Sequence, residues 1–140
     1  MKTFVNLPVR DLQKSIQFFS ALGFSFNPQF TDEKATCMII SEEAFVMLLV
    51  EPFFQTFTKK RISNAFEATE VLVALSVDSR EAVDTMVNQA LAGGGSTYSD
   101  PMDLGFMYQR AFQDLDGHQW EVIWMDPNAT PPMPEQGASD

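Results

Sequence analysis

Residues 3–9, TFVNLPV, alternate along their length: Val5, Leu7 and Val9 point one way, Phe4, Asn6 and Pro8 the other. This is the pattern of a strand with one face in a core. Asp11 follows as a helix N-cap, and Leu12, Ile16, Phe19 and Leu22 recur at helical spacing until Gly23 ends the run. FSFNP (24–28) predicts a short strand. ATCMIIS (35–41) and AFVMLLV (44–50), separated by Glu42 and Glu43, predict a hairpin. EVLVALSVD (70–78) alternates again, with Val71, Val73, Leu75 and Val77 on one face and Leu72, Ala74 and Ser76 on the other. A second helix is predicted over 79–91, with Val83, Met86, Val87 and Leu91 on its apolar side. Gly93, Gly94 and Gly95 follow that helix rather than open one, so they read as a cap and turn, not as a phosphate cradle. A short strand near STYS (96–99), a longer one near GFMYQRAFQ (105–113), the turn DLDG (114–117) and a last strand HQWEVIWM (118–125) complete the series.

The order strand, helix, three strands therefore occurs twice. LPVRDLQKSIQ and LSVDSREAVDT align at an offset that places Leu7 on Leu75 and Val9 on Val77. Strand faces and helix starts agree, and duplication of a βαβββ unit is the economical reading. It divides a single domain, 1–126, into a module at 3–50, a connector at 51–69 and a module at 70–126. The tail at 127–140 holds four prolines and little to bury, and is expected to be extended or flexible. The connector, EPFFQTFTKKRISNAFEAT, is too long for a turn and rich in phenylalanine. Segments of this kind serve as lids or pocket walls. Equally, Phe53, Phe54 and Phe57 could plug the edge of the core.

Composition narrows the function classes. The chain has 140 residues, 9 basic and 19 acidic, for a formal charge of −10. No basic patch offers to replace phosphate counterions, which argues against nucleic acid and against anionic membrane surfaces. No leader and no long apolar run stands out, and the reading is a soluble, cytoplasmic protein. The single cysteine, Cys37, excludes an intrachain disulfide and, within ATCMIIS, reads as a buried thiol.

Three stretches, FVNLPVRDLQKSIQFF, ALSVDSREAVD and AFQDLDGHQWEVIW, together resemble the vicinal oxygen chelate superfamily, the group of glyoxalase I, bleomycin-resistance proteins and extradiol dioxygenases. The resemblance covers roughly residues 3–126. It implies an α+β fold: two βαβββ modules forming a cupped mixed sheet, the glyoxalase/bleomycin-resistance/dioxygenase-like fold. It also implies a homodimer. In metal-dependent members, His, Glu, His and Glu side chains hold a divalent cation in the cup. Carried over to this chain, those positions fall on Phe4, Met47, Leu72 and Glu121. Three of the four are apolar, so the expectation is no metal cofactor, with a divalent metal held by an atypical ligand set as the alternative.

Alternation gives the cup face independently of the ligand transfer. Phe4, Asn6, Phe45, Met47, Leu49, Leu72, Ala74, Ser76, Gln119, Glu121 and Ile123 share it, while Val5, Leu7, Val46, Leu48, Val71, Val73, Leu75, Trp120, Val122 and Trp124 face the helices. The cup list suits a small-molecule pocket for an apolar or cationic ligand, or a filled core with polar edges. Glu121 is the candidate catalytic residue, as a base, or else the counter-ion of a cationic ligand. Against that stands a cross-strand salt bridge to Arg110, placed near it across the DLDG turn. Tyr108 shares the strand face of Arg110, and both join the ligand-binding list. His118, beside the turn, reads as a solvated flanking residue. The function expected is small-molecule binding, as in resistance or sequestration; the alternative is a glyoxalase-type lyase or isomerase, or a dioxygenase.

Overall fold

The computed structural model describes residues 1–129. Eight strands and three α-helices follow in the order anticipated: β1 (Thr3–Val9), α1 (Leu12–Ala21), β2 (Ser25–Asn27), β3 (Ala35–Ile39), β4 (Ala44–Val50), α2 (Glu51–Phe54), β5 (Leu72–Ser76), α3 (Arg80–Ala92), β6 (Met102–Asp103), β7 (Met107–Gln113) and β8 (Gln119–Met125). They form two four-stranded mixed sheets, β1-β4-β3-β2 and β5-β8-β7-β6. In each, the first strand of the module runs parallel to the last, and the rest are antiparallel. The two sheets have the same topology, and this is the βαβββ duplication expressed in three dimensions. From residue 130 onward the expected tail lies outside the described residues.

Both helices begin where the sequence marks them. Asp11 accepts from the Lys14 amide and Ser79 from the Ala82 amide, each satisfying one of the free N–H groups of a first turn. After α1 the chain turns at Gly23, whose φ of 103° a side chain would resist.

The helix-facing residues of both sheets meet α1 and α3 in one continuous core. Leu7, Val46 and Leu48 from the first module share it with Leu75, Trp120 and Val122 from the second. Phe19 of α1 packs 5.1 Å from the Trp120 ring, and Phe18 packs 6.0 Å from Phe112, so aromatic contacts tie the modules together. Phe18 was not on the predicted apolar stripe. It is drawn in because α1 meets the second module as well as its own sheet. Val71 was assigned to the core face, but β5 starts one residue later, and Val71 is 40% exposed. The strand expected at 96–99 is a single bridge between Ser96 and Gln113; the edge strand forms at Met102–Asp103. Among the described residues, no helix is long and apolar enough to cross a membrane.

Candidate functional site

Because the two modules share their core through the helices, the opposite faces of both sheets are left open. On the first sheet Phe4 is 51% exposed and stacks on Phe45, with ring centroids 5.0 Å apart and planes 15° from parallel. Asn6 is exposed and Met47, its partner on β4, is half-buried. The amine of Lys2 lies 5.7 Å from the Phe45 ring centre. On the second sheet Leu72 is 50% exposed, Ala74 and Ser76 are exposed, and Gln119, Glu121 and Ile123 are half-buried. The structure therefore keeps Phe4, Asn6, Phe45, Met47, Leu72, Ala74, Gln119 and Glu121 on the open faces, where alternation put them. Leu49 is the exception, being buried at 3% exposure.

Tyr108 and Arg110 are a correction. Arg110 pairs with Val122, not Glu121; Ala111 is the residue opposite Glu121. The DLDG turn was read as four residues, but Asp114 still pairs with His118 through its amide, leaving the three-residue loop Leu115, Asp116 and Gly117. Gly117 takes a φ of 87°, the left-handed position such a loop needs. One residue of register reverses every side chain of a strand. Tyr108 and Arg110 therefore face the helix side, where both bond Asp84 Oδ1 of α3, the Tyr108 hydroxyl at 2.7 Å and Arg110 Nη1 at 2.9 Å. Glu121 has no ion-pair partner among the described residues, so the expected bridge to Arg110 does not form.

The Tyr108 hydroxyl first, then Arg110, holds the Asp84 carboxyl below the usual carboxylate range. An acid whose folded value is depressed adds stability above its unfolded value, about 3.9, and loses it as pH falls through the folded value. Asp84→Asn should cost under about 1 kcal/mol at pH 7, since the pair is partly exposed. The urea midpoints of variant and wild type should then converge as pH drops below about 4.

His118 and the turn acids prove to be structural. The carboxylate of Asp114, 4% exposed, accepts the amides of Asp116 and His118 at 2.9 and 3.0 Å and the Trp120 indole N–H at 2.9 Å. Burial raises the Asp114 acid, and the nearby His118 and these donors oppose that rise. Asp116 pairs with Arg10 Nε at 3.0 Å, Arg10 also donates to the Leu115 carbonyl, and His118 Nε2 lies 2.7 Å from the Pro8 carbonyl oxygen. These contacts join the end of β1 to the β7–β8 turn. The DLDGH segment is thus a clamp between modules rather than part of an open face.

The connector rests on that clamp. A Cβ at Gly117 would stand 2.8 Å from the Phe66 amide nitrogen, so glycine is what allows the two backbones to approach. The Phe66 ring lies under Arg10, 5.3 Å from its guanidinium carbon. Beneath the connector is a cavity of about 380 Å³, bordered by Phe54, Lys60, Arg61 and Glu70 and by Asn6, Pro8 and His118. The connector is therefore a wall, as one of its two readings had it. Phe54 lines the cavity, whereas Phe57 is 69% exposed and plugs nothing.

Sequence reading missed two residues of the second open face. Gln109 and Gln113 oppose Ile123 and Gln119 and so share the face of Glu121. Alternation along β7 would have found them had the turn length been known. On the first sheet Cys37 pairs with Met47 and shares its face, yet is buried, and burial raises its thiol.

The residues do not fit a divalent metal of the His-Glu-His-Glu kind. Phe4 and Leu72 have no donor atom, and a methionine thioether is a poor ligand for hard cations. Among the described residues no group of three or more His, Cys, Asp or Glu could hold an ion.

A family model described as bleomycin resistance protein-like N-terminal matches residues 2–41. No curated protein matches the chain. Among solved structures, a hypothetical protein from S. aureus is 32% identical, covers 89% of this chain and 93% of its own, and superposes with a TM-score of 0.75. A glyoxalase/bleomycin resistance protein/dioxygenase family enzyme from Burkholderia phytofirmans PsJN is 19% identical over 87% of this chain and 96% of its own, with a TM-score of 0.72. A fosfomycin resistance protein from Mesorhizobium loti is 14% identical over 89% and 90%, with a TM-score of 0.63. The duplicated βαβββ architecture, the matched opening segment and these likenesses agree: the chain belongs to the vicinal oxygen chelate superfamily.

Proposed function

We propose that the protein binds a small, largely apolar molecule without a metal, in a cup formed when the open sheet faces of two copies meet. The observation that carries this reading is the stacked, half-exposed Phe4–Phe45 pair with Leu72 equally exposed on the other sheet. Large apolar side chains gathered on exposed faces mark binding or association surfaces. Glu121 would be the polar anchor on an otherwise apolar wall, and sequestration of the ligand would be the biological role. Placing the first-module face of one copy over the second-module face of the other sets an aromatic wall against a wall carrying Glu121, Gln109, Gln113 and Gln119. A drug-sized molecule is bound in this way, by apolar walls and a few polar groups.

Two measurements on freshly purified, untagged protein test it. Elemental mass spectrometry should find well under one divalent metal per chain. Naphthalene, added at its solubility limit, should shift the NMR signals of Phe4, Phe45 and Leu72. A stoichiometric metal would overturn the metal-free reading in favour of a metal-dependent lyase or dioxygenase, and an unmoved aromatic pair would overturn the pocket.

A further inference from the structure

The cavity beneath the connector is charged against the trend of the chain. The protein carries −10 overall, yet Lys59, Lys60 and Arg61, three of its nine bases, follow one another in the connector. Lys60 and Arg61 border the cavity, and among the described residues Glu70 is the one acid that does. Two cations against one carboxylate leave the border with one net positive charge. Among the described residues no acid lies within ion-pair distance of Lys60 or Arg61, whereas Arg10, Arg80 and Arg110 each have one. A cleft lined by one sign of charge, with low-dielectric walls, concentrates ions of the other sign. Those walls are present: Leu7, Pro8, Phe54, Ile62 and Val71 border the same space. A volume of about 380 Å³ suits a small organic molecule rather than a bare ion. One wall can also yield. Ile62, Ser63 and Ala65 border both this cavity and a second of about 290 Å³ that reaches Arg10, Glu51 and Asp116. Among the described residues, the hydrogen bonds of 58–70 stay within 55–71: the Gln55 side chain donates to the Thr58 and Lys60 carbonyls, and the Glu67 and Ala68 amides donate to that of Asn64. Phe66, against Gly117 and Arg10, seats the segment. It can therefore shift to admit a ligand without breaking a hydrogen bond to either sheet.

We infer that this cavity is a second binding site, for a small organic monocarboxylate, with the apolar body of the ligand against Leu7, Phe54 and Val71 and its carboxylate held by Lys60 and Arg61. The site goes beyond the cup: neither Phe4 nor Phe45 borders it, and either reading can fail without the other. The ligand class follows from the charge of the border. A carboxylate brings one negative charge to a border with one net positive charge. A phosphate dianion brings two, and the second is set against Glu70. An ammonium meets two cations for one acid. A neutral molecule uses the apolar walls but leaves both cations to water. Hydrogen bonds from Lys and Arg to a carboxylate are charge-assisted and stronger than neutral ones.

The test titrates benzoate, benzyl alcohol, benzylammonium and inorganic phosphate into the full chain at neutral pH and low salt, read at the amide NMR signals of Ile62, Ser63 and Thr69. Wild type should bind benzoate about tenfold more tightly than benzyl alcohol, and more tightly than the ammonium or phosphate. Added salt should weaken benzoate and spare the alcohol. The double variant Lys60→Gln, Arg61→Gln should abolish the preference for benzoate while leaving the affinity for the alcohol unchanged. Both side chains are exposed, so the fold survives their loss. The exchange Lys60→Arg, Arg61→Lys keeps the charge and should keep the preference. A benzoate preference that survives the double Gln variant overturns the role of Lys60 and Arg61. Tighter binding of phosphate or of benzylammonium overturns the monocarboxylate class. Amide signals that benzoate leaves unmoved overturn the site, whatever naphthalene does at Phe4 and Phe45.

Discussion

Asp114→Ala is expected to destabilise the protein by roughly 3–5 kcal/mol, the sort of loss reserved for a buried polar hub. The acid closes three bonds at once, from the Trp120 indole and from two amides of the turn. Alanine removes the acceptor and leaves the Trp120 N–H orphaned beside a fully buried ring stacked on Phe112. It also frees the turn whose Asp116 holds Arg10 and whose His118 meets Pro8, so the loss spreads to the contact between modules. Asp114→Asn should recover only part of the loss. Its oxygen can take the two turn amides, but its NH2 then faces the Trp120 indole, donor against donor. Urea unfolding at pH 7 checks both variants: the midpoint should fall with the slope unchanged. A loss under about 1 kcal/mol for Asp114→Ala would mean that the turn holds its shape without the acid.

Leu72→Glu should break the proposed dimer and leave the single chain intact. Leu72 is half-exposed in one copy, so a charge there costs the monomer little, within about 0.5 kcal/mol. In the proposed assembly the same position is covered by the Phe4 face of a second copy. An unpaired carboxylate would then be buried on an apolar wall, at a cost of several kcal/mol. The dimer constant should weaken by at least about 100-fold, read by sedimentation equilibrium across a concentration series. Unfolding measured on dilute protein should be unchanged, which separates lost association from lost folding. Wild type that sediments as a monomer at all concentrations, or a variant as dimeric as wild type, would remove the second copy from the cup.

What the sequence by itself determined is local and periodic. Alternation set the faces of β1, β4, β5 and β8, because side chains must leave a strand on opposite sides whatever the strand packs against. Asp11 and Ser79 marked the helix starts because a first turn needs a side-chain acceptor. The duplication was legible because both modules repeat the same faces at the same spacing. The tertiary structure alone decided what depends on distance between segments. Three residues rather than four in the β7–β8 loop reversed the face of Tyr108 and Arg110 and brought Ala111, Gln109 and Gln113 round to Glu121. No periodicity carries that choice, since both loop lengths fit the letters DLDG. Phe18 became core only because α1 touches the second module. Asp114, Asp116 and His118 became an intermodule clamp only because β1 ends beside their turn, more than 100 residues away in sequence. The Ser96–Gln113 bridge is the sharpest case: a single pair of hydrogen bonds between distant segments leaves no signature in the pattern of either.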